Sequence, residues 1–167
     1  MATVTVIGID PGGTIGWACY RMETMPIIDD GDDPEIYDEG WHCGQIDPGS
    51  DQVEQLELLI EMNHTAETVV VCERFIPRPD KKDAEETVTL QQIGAIELIC
   101  RQREIELVLQ MPAQAKGFVK DVNLKKLGMW FPGKKWRHAM DATRHVAFYL
   151  VNGPMKRRDL MQKGWKF

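Results

Sequence analysis

The chain has 167 residues, of which 43% are hydrophobic and 28% charged, a composition typical of a folded globular domain and not of a disordered chain. Its longest run without Asp, Glu, Lys or Arg, residues 145–155, is far too short to span a bilayer. Because the N-terminus lacks the basic-then-apolar pattern of a signal peptide and the four cysteines form no C-x-x-C pair, we expect a cytoplasmic protein with reduced thiols and no membrane partner.

The net charge of -6 conceals a strong asymmetry along the chain. Residues 1–73 contain 16 acidic side chains and one basic side chain, whereas residues 74–167 contain 10 acidic and 19 basic ones. A basic face on an acidic protein indicates a polyanionic partner. A solvated basic tail is the alternative. We favour the polyanion because the bases between residues 116 and 144 lie inside the predicted fold.

The first predicted element is a buried strand over residues 3–9, which is rich in Thr, Val and Ile. It ends at the carboxylate of Asp10, and the Pro-Gly-Gly of residues 11–13 then predicts a turn into a second strand over residues 15–20. An acid at the end of such a hairpin can hold a divalent cation, and the glycines let a phosphate come close. A plain turn with a solvated Asp10 fits the hairpin equally well.

The rest of the chain predicts alternating strands and helices followed by a basic tail. An acidic segment at residues 23–39 reads as a connection, and residues 113–133 read as a basic one. We predict one domain over residues 1–152 and a flexible basic tail over residues 153–167. The remaining elements are strands over residues 37–46, 68–72 and 105–110 and helices over residues 51–63, 84–103 and 136–151.

Four side chains form a candidate active site: two acids that end predicted strands, and a histidine and an aspartate on the last predicted helix. Glu73 follows the valine-rich strand, as Asp10 follows the first strand, and His138 and Asp141 share one face of the last helix. Such carboxylates and imidazoles can converge into a site for hard divalent cations. Two Mg²⁺ or Mn²⁺ ions would suit phosphodiester hydrolysis. His138 can either bind a metal ion or move a proton.

Three motifs occur in a set order: G-I-D-P-G at residues 8–12, the strand-ending Glu73, and H-x-x-D-A at residues 138–142. Together they resemble the RuvC family of Holliday-junction resolvases, and more closely its phage RuvC-like branch within the RNase H-like superfamily. The resemblance extends over residues 4–150. It implies an α/β RNase H-like fold whose mixed five-stranded sheet has three antiparallel strands, then two parallel ones, with helices on both faces.

The resemblance also implies an activity and a set of site residues. The expected protein is a homodimeric, Mg²⁺- or Mn²⁺-dependent endodeoxyribonuclease that cleaves branched DNA such as Holliday junctions, flaps or forks in recombination or phage genome processing. The helix over residues 84–103 is a candidate dimer interface. The carried-over catalytic and metal-binding set is Asp10, Glu73, His138 and Asp141. The DNA-binding set is Phe75, as the nearest match to the family's aromatic wedge, with Gln114, Lys116 and Lys120.

Two other functions compete with the nuclease. The segment G-I-D-P-G-G-T-I-G resembles the phosphate-binding hairpin of actin-like ATPases and sugar kinases. Those proteins place nucleotide between two such domains, and a chain of this length supplies only one. A non-catalytic DNA-binding module is the second alternative, and the presence of all four expected side chains argues against it.

Overall fold

A mixed five-stranded sheet forms the centre of the computed structural model, which describes residues 2–24, 36–77 and 84–165. The strands are β1 (Ala2–Asp10), β2 (Ile15–Thr24), β3 (Ile36–Ile46), β4 (Glu67–Glu73) and β5 (Glu106–Gln110). Their order in the sheet is β3-β2-β1-β4-β5. Strand β1 pairs antiparallel with β2 and parallel with β4, β2 pairs antiparallel with β3, and β4 pairs parallel with β5. The predicted sheet is thereby confirmed.

Within the described ranges, six helices and one 3-10 turn cover the two faces of the sheet. The helices are α1 (Gln52–Asn63), α2 (Ala84–Gln102), α3 (Pro112–Phe118), α4 (Asp121–Leu127), α5 (Arg137–Asn152) and α6 (Arg158–Trp165), and the 3-10 turn is Lys134–Trp136. No helix in the described part of the chain is long and apolar enough to cross a membrane. The four cysteines are free; Cys43 is half-buried and the other three are buried.

Side-chain alternation along β1 separates two hydrophobic cores. Val4 and Val6 pack in one core with α4, α5 and α6. Ile7 and Ile9 pack in the other with α1 and α2. Because successive strand residues point to opposite faces of a sheet, Asp10 falls on the α5 face.

Two glycines let α5 lie directly against the sheet. A Cβ added at Gly8 would lie 2.5 Å from the carbonyl oxygen of Ala142, and one added at Gly16 would lie 2.0 Å from that of His138. Real atoms do not approach so closely, so neither position admits a side chain without moving the helix. The sequence also predicts that Gly94 allows a close approach. This is wrong within the described residues, because a Cβ there would meet nothing within 4 Å.

The predicted basic connection is largely helical, since α3 and α4 lie within it. The prediction of a flexible tail is also wrong for residues 158–165, which form α6 and bury Leu160 and Gly164. The Trp165 ring stacks on Phe118 at 5.0 Å between ring centroids. Arg157 is 3% exposed, and its guanidinium lies over the Tyr20 ring. Most of the acidic segment at residues 23–39 falls outside the described residues.

The contact between Gly16 and α5 gives a test of the fold. We expect Gly16→Ala to lower the free energy of unfolding by about 2 kcal/mol or more, because the new methyl group forces the His138 backbone away from β2. The measurement is urea denaturation followed by circular dichroism. Gly13→Ala is the matched control, since a Cβ there meets nothing within 4 Å and its effect should stay within about 0.5 kcal/mol. Equal effects of the two substitutions would contradict this packing.

Candidate active site

Parallel pairing of β1 and β4 brings two predicted acids to the same edge of the sheet. Ile9 lies beside Cys72 in the register, so Asp10 and Glu73 are the next residues on neighbouring strands. Val71 packs in the α5 core, and alternation therefore places Glu73 on the α5 face with Asp10. The Asp10 side chain is 7% exposed and that of Glu73 is 17% exposed. Two adjacent, largely buried carboxylates thus face the start of α5.

The first turns of α5 supply the other two predicted residues. The His138 ring lies against Asp10, with Nδ1 3.0 Å from Oδ2. The backbone N–H of His138 donates to Oε1 of Gln45 on β3, at 3.1 Å, which fixes the start of the helix over the sheet. Asp141 follows one turn later with its side chain 13% exposed. The structure therefore brings all four candidate residues to one place.

The ammonium group of Lys116 lies among the three carboxylates. Its Nζ is 2.8 Å from Glu73 Oε2, 3.2 Å from Asp141 Oδ2 and 3.7 Å from Asp10 Oδ1. Lys116 comes from α3, which begins two residues after β5 ends. Of the four residues predicted to bind DNA, Lys116 is the one whose contacts reach the acids.

Among the described residues, no hydrogen bond or ion pair joins the other three predicted DNA-binding residues to the carboxylates. Phe75 is half-buried two residues after Glu73. Gln114 is exposed on α3 and accepts a hydrogen bond from the N–H of Met111 at 3.2 Å, which caps that helix. Lys120 is exposed just before α4, and its Nζ donates to the Lys116 carbonyl at 3.0 Å. Their role in binding DNA stays a prediction.

Burial, hydrogen bonds and neighbouring charges shift the pKa values of four groups in the site. Burial works to raise the pKa of Glu73, but hydrogen bonds from His145 and Lys116 outweigh it and lower the pKa to about 2. Burial works to lower the pKa of Lys116, and the charge of Asp10 and the hydrogen bond to Glu73 raise it instead. The hydrogen bond to Asp10 raises the pKa of His138. Burial raises the pKa of Asp10, against the effect of His138 and Lys116.

The donor set suits a hard cation, although the side chains are not spaced as metal ligands. Within residues 2–24, 36–77 and 84–165, no group of three His, Cys, Asp or Glu side chains is positioned to hold a metal ion. The three carboxylates instead converge on a single positive charge, that of Lys116. Carboxylate oxygens are the ligands that Mg²⁺ and Mn²⁺ prefer. By this chemistry the residues present fit a divalent metal.

His145, a buried residue that the sequence analysis did not select, contacts the Glu73 carboxylate. His145 is fully buried; its Nε2 lies 3.0 Å from Glu73 Oε2 and its Nδ1 lies 2.8 Å from Oε1 of Gln110, the last residue of β5. The sequence signal that could have selected His145 is its spacing, because it follows Asp141 by four residues and so lies on the same helix face. Gln110 could be assigned only once the sheet register was known.

Asp141 has a second cationic partner in Arg144, which the sequence analysis also did not select. Arg144 Nη1 lies 2.6 Å from Asp141 Oδ1, and Nη2 pairs with Asp121 at the start of α4. This side chain is 14% exposed. It fixes the orientation of Asp141 and ties α5 to α4.

Two glutamines hold the turn that follows Asp10. The side chain of Gln92 on α2 accepts from the N–H of Gly12 at 2.8 Å and donates to its carbonyl at 2.9 Å. The Gln52 amide on α1 donates to the Gly13 carbonyl at 2.8 Å, and Gln92 also donates to Gln52 at 3.1 Å. The Gly12 N–H is therefore already bonded within the protein, whereas the Cα of Gly13 faces open space.

Comparison with known proteins identifies the fold. No protein-family model matches the sequence, and no curated protein matches it either. The chain is similar to the Thermus thermophilus RuvC structure, with a TM-score of 0.54 and 17% identity over 89% of this chain and 96% of that one. It is also similar to T. thermophilus RuvC in complex with Holliday junction substrate, with a TM-score of 0.58 and 13% identity over 90% and 96% of the two chains. At these identities the likeness shows a RuvC-like fold.

The low pKa of Glu73 gives a test of the site without DNA or metal. Its pKa is about 2 in the folded protein against an ordinary 4.5, so ionised Glu73 stabilises the fold above about pH 4.5 and loses that contribution as the pH falls towards 2. A shift of this size corresponds to on the order of 3 kcal/mol. We expect the free energy of unfolding of the wild type, measured by urea denaturation in EDTA, to fall by that much more between about pH 5 and pH 2 than that of Glu73→Gln.

The control for this measurement is Glu54→Gln, on an exposed position of α1. Its pH dependence should follow that of the wild type. If Glu73→Gln shows the same loss of stability in acid as the wild type, the hydrogen bonds from His145 and Lys116 do not hold the Glu73 carboxylate as described.

Proposed function

We propose that this protein is a metal-dependent endonuclease that cleaves phosphodiester bonds in branched DNA such as Holliday junctions. The observation that carries the proposal is the convergence of the Asp10, Glu73 and Asp141 carboxylates on one cation, with His138 beside them. This convergence occurs on a RuvC-like fold, and one similar solved structure holds a Holliday junction substrate. The basic residues between positions 116 and 144 support a polyanionic partner.

The three carboxylates are the residues that would hold Mg²⁺ or Mn²⁺, with two ions expected. When bound, such ions lower the pKa of an attacking water and stabilise the leaving 3′ oxygen. His138 has its Nδ1 against Asp10, so its Nε2 is the ring atom left for a proton or a ligand. It either completes the metal site or moves a proton to or from the reacting water.

Lys116 and His145 are assigned supporting roles. Lys116 remains charged because acids surround it, and its ammonium can neutralise a phosphate that approaches the carboxylates. His145 is fully buried and reaches Glu73, so we assign it the positioning of that carboxylate. Phe75 is proposed to stack on a base at the branch point, with Gln114 and Lys120 contacting the backbone.

A homodimer is proposed because paired cuts across a junction require two active sites in a two-fold arrangement. The candidate interface is α2, whose outer surface carries Leu90, 46% exposed, and Leu98, 52% exposed. These leucines lie eight residues apart on one side of the helix, with Gly94 between them.

Cleavage of a synthetic four-way junction tests the proposed function. We expect the wild type to nick the junction in Mg²⁺ or Mn²⁺ and to do nothing in EDTA. Asp10→Asn should bind the junction but cut it at least about a hundredfold more slowly, because loss of a ligand exceeds the roughly 10–100-fold cost of losing an outer partner. Gel electrophoresis of end-labelled strands measures the rate.

Asp47→Asn is the matched control, because the same change of side chain is made at an exposed position between β3 and α1. It should cut at the wild-type rate. Equal cutting by the wild type and Asp10→Asn would refute the assignment, and ATP turnover without DNA would favour the ATPase alternative.

The proposed role of His145 predicts a specific defect. We expect His145→Ala to slow junction cleavage by roughly 10–100-fold and to raise the Mn²⁺ concentration needed for half-maximal rate, because Glu73 loses its buried partner. The affinity for the junction in EDTA should be unchanged. His42→Ala is the control, since His42 is exposed on β3. A loss of DNA affinity with an unchanged Mn²⁺ dependence would contradict the positioning role.

A further inference from the structure

A cavity of about 1160 Å³ opens beside the candidate active site. Lys116 and Asp141 line it, and both also belong to the carboxylate cluster. The rest of its lining comes from α4, the first half of α5 and the segments between α3, α4 and α5. It exceeds the roughly 300–1,000 Å³ of an ordinary small-molecule pocket, so it is large enough for an extended ligand. We call it the Trp130 cavity.

Apolar groups line part of the Trp130 cavity. Trp130 is half-buried in its wall, and the Lys125 ammonium lies 5.1 Å from the centroid of the ring. Val122 is 56% exposed, and two residues of the buried core, Met140 and Val119, also line the cavity. An aromatic ring and an exposed valine in one recess favour a ligand with flat apolar surfaces.

Positive charges surround these apolar groups. Lys120, Lys134 and Arg137 line the cavity and are exposed. Its two acids, Asp121 and Asp141, are both paired with Arg144. The cavity therefore carries an excess of positive charge and favours an anionic ligand.

We propose that the Trp130 cavity binds unpaired nucleotides of the DNA strand that continues from the cleaved phosphate. The inference rests on the proposed nuclease function and adds that the DNA beside the active site is single-stranded. Bases of a single strand stack on Trp130 and cover Val122, and their phosphates contact Lys120, Lys134 and Arg137. A paired duplex encloses its base faces and presents phosphates, so it leaves the apolar wall exposed to water. The combination of stacking surface and positive charge fits a single strand better than a duplex.

Binding without cleavage tests this inference directly. Fluorescence anisotropy in EDTA compares a labelled oligothymidylate with a fully paired duplex of equal length. We expect Trp130→Leu to weaken oligothymidylate binding by roughly fivefold to a hundredfold, the range for loss of one aromatic stacking contact. Its effect on duplex binding should be less than about twofold. Trp17→Leu is the control, because Trp17 packs against the other core and the His42 ring.

A second pair of variants removes charge and leaves the Trp130 ring in place. Lys120→Ala combined with Lys134→Ala should reduce the slope of log affinity against log salt concentration for the oligothymidylate by about 1.4, at about 0.7 per phosphate contact. Lys163→Ala, which removes one positive charge from α6 outside the cavity, should leave the slope unchanged.

The outcomes separate this inference from the nuclease assignment. Equal weakening of single-strand and duplex binding by Trp130→Leu, or an unchanged salt slope in the double variant, would overturn the inference even if the wild type cuts junctions. Displacement of the oligothymidylate by polyglutamate as effectively as by unlabelled oligothymidylate would overturn it in favour of an acidic peptide. Selective loss of single-strand binding in Trp130→Leu would support it, and the junction-cleavage assay tests the nuclease assignment separately.

Discussion

Three largely buried carboxylates, two at the ends of β1 and β4 and one on α5, lie together in this protein because positive charge lies among them. Coulomb repulsion between such groups would otherwise protonate one or more of them or force them apart. In this protein Lys116 supplies a charge within 3.7 Å of Asp10, Glu73 and Asp141. Much of the architecture serves this arrangement: the parallel pairing of β1 with β4 sets two of the acids side by side, and α3 places the lysine against them.

The two faces of the sheet contribute differently to the site. The α5 face holds the charged groups, and Gly8 and Gly16 allow the helix to approach closely enough for His138 to reach Asp10. The opposite face holds an apolar core under α1 and α2. At the edge of that core, Gln52 and Gln92 satisfy the backbone of the turn after Asp10. The acids are therefore positioned by packing and hydrogen bonding from both sides.

Local sequence patterns predict most of the strands and longer helices, because the strands are β-branched runs and the longer helices have apolar periodicity. The arrangement of the strands in the sheet was implied by the resemblance to the RuvC family. Local patterns also predict the meeting of Asp10, Glu73, His138 and Asp141, since acids that end neighbouring strands share an edge. The short helices α3 and α4, seven residues each, escaped prediction because helices of this length depend on tertiary contacts. The partnership of His145 with Gln110 escaped too, because it depends on which face of β5 meets α5.

The double hydrogen bond between Gln92 and Gly12 has a mechanical consequence. The Gln92 side chain bonds both the N–H and the carbonyl of Gly12. These two hydrogen bonds connect α2 directly to the turn after Asp10. Sliding α2 along its axis by even one residue, a rise of about 1.5 Å, would either break both bonds or drag the turn with it. A displacement of α2 would therefore be transmitted through the two Gln92 hydrogen bonds to the turn beside Asp10.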